Sequence, residues 1–292
     1  MREPVADALA AAYEHNIDIM SNAANARGDN VESGLRLDEK GVNAVLETAL
    51  EHDDPARADD PAGRVTAATQ IETARLIRAG TAFPIDNGAR AANAERVGAL
   101  VGTFGDAFAD VVLDRAGDAE AAEQARNAIL GTAAEVIGVV HPAVEAGAGI
   151  GSGAVQILLD QDHIGPALQS LEDYARNQQG DLDHLVFNAY FENAVSAAGR
   201  DPAAAAFVAQ VQAYEDAINQ ANRGAPIRIV VDGPGGPAII DPATIADPEL
   251  RADTQVRIGE LIFGSDPDHR GPFEAMLDTR NQISIAYDRA LR

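Results

Sequence analysis

The stretch AILGTAAEVIGVVHPAVEAGAGIGSGAVQILLD, Ala128–Asp160, is the most apolar and glycine-rich part of the chain, and its reading decides the fold. A transmembrane helix needs about 20 nearly uncharged apolar residues. Here Glu135, His141, Pro142 and Glu145 interrupt the run, leaving an uncharged segment only from Ala146 to Leu159, too short to span a bilayer. A buried helical hairpin fits better. Its first arm runs from about Ala119 to Val140, Pro142 pushes His141 out of the α region, and Pro142 then opens the second arm. In that arm Gly147 and Gly151, and again Gly149 and Gly153, stand four residues apart on one helix face, where absent side chains let another backbone come close.

Composition points the same way. The chain has 292 residues, 46% of them apolar, enough for a sizeable core. With 4% aromatic residues and no tryptophan, that core is built from Ala, Val, Leu and Ile, which suits closely packed helices. A formal net charge of −24 and a pI near 4.4 exclude nucleic acid as a partner and count against an anionic membrane surface, because both demand clustered Lys and Arg. Lys40 is the only lysine, and aspartate exceeds glutamate. A GC-rich genome or adaptation to high salt gives this bias; the abundance of Ala and Arg favours the genome. With no cysteine there are no disulfides, thiolate metal sites or cysteine nucleophiles.

Outward from the central stretch, helix signals recur. Pro4 to about Ala26 reads as one helix, and the polar RGDNVESG that follows as a turn, which also accounts for the triplet Arg27-Gly28-Asp29. Asp38 reads as an N-cap with Leu37 and Val42 as a hydrophobic staple, opening a helix to about Glu51. The dipeptide Asp-Pro appears at Asp54-Pro55, Asp60-Pro61, Asp201-Pro202, Asp241-Pro242, Asp247-Pro248 and Asp266-Pro267, and most of these mark helix starts: aspartate caps free amides while proline fits the first helical position. Asp60-Pro61 opens a helix through VTAATQIETARLIRAG with Val65, Ala68, Ile71, Leu76 and Ile77 inward and Gly80 closing it.

From Ala89 to Leu113 the residues Val97, Leu100, Val101, Phe104, Phe108, Val111 and Val112 define a strongly amphipathic helix. Asp118 caps the first arm of the central hairpin, and Gly165-Pro166 reopens helix after it. Further helices run from Asp181 to about Ala198, with Leu185, Phe187, Tyr190, Phe191 and Val195 apolar, and from Asp201-Pro202 to near Asn222. PIRIVVDGPGGPAIID then carries two β-branched runs, Ile227–Val231 and Ala238–Ile240, around a proline-glycine loop, the signature of a β-hairpin. Such a hairpin is too small to stand alone and lies on the helical body. Helices resume over Pro248–Phe263 and Pro272–Leu291.

The fold class is therefore mainly α: a multi-helix bundle around a central glycine-rich helical hairpin, with one small β-hairpin near 227–240. Residues 1–222 form the helical body, and 223–292 contribute the β-hairpin and C-terminal helices packed on it, as a second part or within one continuous domain.

The tetrapeptide D-x-D-H recurs as Asp160-Gln161-Asp162-His163, Asp181-Leu182-Asp183-His184 and Asp266-Pro267-Asp268-His269. Hard cations take carboxylate oxygens and zinc takes imidazole nitrogen, so two such segments brought together supply a divalent-cation shell. The candidate metal ligands are Asp160, Asp162, His163, Asp181, Asp183 and His184. In a chain rich in aspartate the same acids also serve as solvated helix caps, the reading favoured here. His141 between Glu135 and Glu145 is a second place for proton chemistry, although a histidine on such a bend is more often bonded to backbone carbonyls. The DGPGG loop at Asp232–Gly236 lacks G-x-x-x-x-G-K-[ST], and neither G-x-S-x-G nor H-E-x-x-H occurs.

The segments LRLDEKGVNAVLETALEHDDPA, VTAATQIETARLI, ERVGALVGTFGDAFADVV and GVVHPAVEAGAGIGSGAVQILLD follow one another in an order that resembles the helical region of actinobacterial proteins associated with type VII secretion, often labelled TPR-repeat-region proteins. The resemblance rests on segment order and texture over roughly residues 15–200. It implies a non-enzymatic α-helical structural or interaction module of a bacterial protein, with a protein partner, no cofactor and no catalytic residues. The N-terminal MREPVADALAAAYEH lacks the apolar core of a cleaved signal peptide, so secretion or surface display by a signal-peptide-independent route is the expectation, ahead of a cytoplasmic location. The alternative function is a divalent-metal-dependent hydrolase using the D-x-D-H residues.

Overall fold

The structure, a computed structural model, describes residues 3–25, 38–52, 60–116, 181–221, 226–233, 236–263 and 270–290. In chain order its elements are α1 (Glu3–His15), α2 (Ile17–Ala24), α3 (Glu39–Leu50), α4 (Pro61–Gly80), α5 (Asn87–Ala116), α6 (Asp181–Ala197), α7 (Pro202–Ala221), β1 (Val230–Gly233), β2 (Gly236–Ile239), a 3-10 turn (Pro242–Thr244), α8 (Pro248–Phe263) and α9 (Arg270–Ala290). The protein is mainly α with one small antiparallel β-hairpin. The glycine-rich hairpin at Ala128–Asp160, the cap at Asp118, the helix after Gly165-Pro166, the turn at Arg27-Gly28-Asp29, the staple residue Leu37, and the dipeptides Asp54-Pro55 and Asp266-Pro267 all lie outside the described residues.

The Asp-Pro starts act as their chemistry requires. Asp60 Oδ1 accepts from the Gly63 amide at 3.2 Å. Asp201 Oδ1 accepts from the amides of Ala203 and Ala204 at 2.8 and 3.2 Å, and Asp247 Oδ1 from those of Glu249 and Leu250 at 2.9 and 3.2 Å. The following prolines are the first residues of α4, α7 and α8. Asp241-Pro242 opens only the 3-10 turn. Asp38 caps α3 through the Gly41 amide at 3.0 Å.

One boundary differs from expectation. The first helix is two, α1 and α2, divided at Asn16. The Asn16 side chain donates to the Ala12 carbonyl at 2.8 Å, while its own amide is shared between the carbonyls of Ala12 and Tyr13 at 3.1 and 3.2 Å. Local side-chain competition for a helical carbonyl breaks the ladder there.

The described residues fall into two compact units, neither a continuous run. The first lies within Met1–Leu76, Asn93–Leu182 and Gln282–Arg292, the second within Ile77–Ala92 and Asp183–Asn281. In the first, α3 packs on α1 and α2, and the core holds Ala10, Tyr13, Leu46, Leu50, Val65, Leu76, Leu100 and Phe104. Gly98 and Gly102 bring α5 against the end of α9. A Cβ on Gly98 would collide with the Ile283 carbonyl oxygen and stand 2.6 Å from Ala286 Cβ and 2.8 Å from the Tyr287 amide nitrogen. A Cβ on Gly102 would stand 2.6 Å from Ala290 Cβ.

Helix α4 is buried on most of its circumference although its sequence is polar: Ile71, Arg75, Arg78 and Ala79 are its only exposed residues. Ile71, expected inward, is 54% exposed, because it shares the outer face with Arg75 and Arg78 one and two turns on. Thr66, Thr69, Gln70, Glu72 and Thr73 are buried instead. Two of these threonines satisfy their hydroxyls within the helix, Thr66 on the Ala62 carbonyl and Thr69 on the Val65 carbonyl, each at 2.8 Å.

The second unit gathers aromatic rings. Tyr190 lies 6.3 Å from Phe83 and 6.3 Å from Phe207, and Phe187 lies 6.2 Å from Phe207, centroid to centroid. The hairpin pairs Val230 with Ile239 and Gly233 with Gly236, and Gly236 has a φ of 116°, a conformation that favours glycine. Both strands are fixed through main-chain atoms. Asn219 donates to the Ile227 carbonyl and accepts from its amide, each at 2.8 Å. Glu215 Oε2 accepts from the amides of Ile229 and Val230 at 2.5 and 2.8 Å, and Asn188 Oδ1 from that of Ile239 at 2.8 Å. Ile227, Ile229 and Ile239 are buried, so apolar burial and edge hydrogen bonding together hold a hairpin that could not stand alone.

Candidate functional site

The first unit contains a cluster of charged and hydroxyl groups centred on Glu72, a carboxylate 1% exposed. Its four hydrogen bonds come from three residues. Arg75, one turn along α4, grips it with both sides of the guanidinium, Nε to Oε2 at 2.6 Å and Nη2 to Oε1 at 2.7 Å. Arg96 of α5 reaches Oε1 with Nη2 at 3.3 Å, and Ser21 of α2 reaches the same oxygen with its hydroxyl at 3.1 Å. Arg96 Nη2 also donates to Ser21 Oγ at 2.6 Å and to the Asp18 carbonyl at 3.1 Å, and the single Ser21 hydroxyl proton is shared between Glu72 Oε1 and that same carbonyl, 2.9 Å away.

Burial pulls the Arg96 guanidinium below its ordinary value, with the Glu72 charge opposing the shift. Hydrogen bonding to Glu72 raises that of Arg75. One turn before Glu72, Thr69 gives its only hydroxyl proton to Val65, so the Tyr13 hydroxyl donates to Thr69 Oγ1 at 2.8 Å. Burial holds Tyr13 neutral by raising its ionisation well beyond the usual phenol range, the Thr69 bond acting the other way.

The groups of this cluster are engaged with one another. A serine nucleophile needs a base free to take its proton and a path for substrate. Ser21 is fully buried, and both oxygens of the carboxylate beside it already accept from arginine. What the cluster does is join α2, α4 and α5 through one charge-assisted network. The sequence does carry a signal for it. Glu72 lies on the same α4 face as Val65, Ala68, Thr69 and Leu76, and a carboxylate on an apolar stripe with Arg three residues on predicts a buried pair. Ser21 and Arg96 carry no comparable mark.

Of the candidate metal ligands, Asp181, Asp183 and His184 fall in the first turn of α6, with His184 half-buried. Asp160, Asp162 and His163, the third tetrapeptide at Asp266–His269, and His141 with Glu135 and Glu145 lie outside the described residues. Among the described residues no group of three or more His, Asp or Glu is placed to hold a metal ion, and no helix is long and apolar enough to cross a membrane. No family model, curated protein sequence or solved structure matches the chain.

Proposed function

We propose that the chain is a non-enzymatic α-helical structural or interaction module of a bacterial protein, working through a protein partner and without a cofactor. The observation that carries the reading is Glu72. The most deeply buried carboxylate among the described residues has both oxygens taken by arginine and serine donors, so the group best shielded for chemistry is spent on joining helices. A net charge of −24 favours a protein partner over nucleic acid. The resemblance to the helical region of type VII secretion-associated proteins fits the same reading and suggests a secreted or surface-associated setting.

Thermal melts in excess chelator and in added magnesium, manganese or zinc test it, alongside assays with ester and phosphodiester substrates. The expected result is one melting temperature under all conditions and no turnover. A metal-dependent rise in melting temperature, accompanied by a hydrolytic activity that His184→Ala abolishes, would establish the metal-dependent hydrolase instead.

A further inference from the structure

We draw no further inference here: the strongest candidate, the main-chain-reading cradle that Asn188, Glu215 and Asn219 form on α6 and α7, is filled by the chain's own segment Ile227–Ile239, and nothing in the structure shows that another strand displaces it.

Discussion

Replacing Gly98 by alanine should destabilise the protein, although the same change elsewhere in a helix stabilises it. In a helix interior, alanine is favoured over glycine by about 1 kcal/mol. At Gly98 the added methyl meets the Ile283 carbonyl, Ala286 Cβ and the Tyr287 amide nitrogen, the last two at 2.6 and 2.8 Å. Two of the three atoms belong to the backbone of α9 and cannot rotate aside, so the helices must separate. Overpacking of this kind costs about 1–3 kcal/mol, and rigid backbone neighbours place it at about 3. Net of propensity, a loss of about 2 kcal/mol is expected, a fall in melting temperature of roughly 4–8 °C. Gly259 of α8 supplies the control: a Cβ there meets nothing within 4 Å, and its φ is not positive, so Gly259→Ala should stabilise by up to about 1 kcal/mol. Urea denaturation followed by far-ultraviolet circular dichroism measures both. Shifts of the same sign in the two variants would refute the close-approach reasoning.

The remaining expectations concern polar groups. Glu72→Ala removes the charged acceptor of the half-buried Arg96 and should cost about 1.5–3 kcal/mol, whereas Arg75→Ala, at a side chain 54% exposed, should cost under about 1 kcal/mol; equal losses by urea denaturation would remove Glu72 from the centre of the network. Tyr13 is accommodated only as the neutral phenol. Above pH of about 10 the unfolded chain ionises while folded Tyr13 does not, so stability present below that value is lost on going up, at about 1.4 kcal/mol per pH unit until the raised folded value is reached. Tyr13→Phe should flatten this alkaline limb, and an unchanged slope would show that the phenol ionises in place. Glu215→Ala leaves the amides of Ile229 and Val230 without their acceptor, at about 2–4 kcal/mol, and should speed hydrogen exchange of the hairpin amides while those of α3 keep their rates. Acceleration spread evenly over both regions would mean that the hairpin has no separate stability.

Much of the helical pattern was legible because helix ends are written in local chemistry. An aspartate that caps and a proline that has no amide to lose need no tertiary information, and Asp60, Asp201 and Asp247 start helices as read. The β-hairpin was equally local, although its ladder begins at Val230 rather than Ile227. The edge strand is shortened there because Asn219 and Glu215 satisfy the amides of Ile227 and Ile229 in place of a strand. The division of α1 from α2 was not legible: one asparagine bond to Ala12 decides it, and asparagine in a helix takes that bond in some settings and faces solvent in others. Close approach through glycines four apart was read at Gly147 and Gly151 and at Gly149 and Gly153, which lie outside the described residues. Among the described residues it operates at Gly98 and Gly102, within a helix whose apolar periodicity already explained its burial.

The burial of α4 follows from a different rule than apolar periodicity. A sequence such as VTAATQIETARL looks half-solvated when threonine and glutamate are counted as surface residues. Threonine escapes the penalty when its hydroxyl returns to the carbonyl four residues back, as Thr66 and Thr69 do, presenting the remaining methyl to the core. Glutamate escapes it only when cations are brought in with it, and here composition bears on geometry. Arg75 engages both Glu72 oxygens at once because its guanidinium is a planar fork, while Arg96, only 18% exposed, reaches one of them, and the weak hydration of a guanidinium lowers the cost of covering it. Lysine, a strongly hydrated point charge, has neither property, and the single lysine of the chain, Lys40, lies on α3 outside this network. In this fold Glu72 sits where α2, α4 and α5 meet and draws an arginine from each of α4 and α5, so the residue type that the composition supplies in excess is also the one that the junction uses.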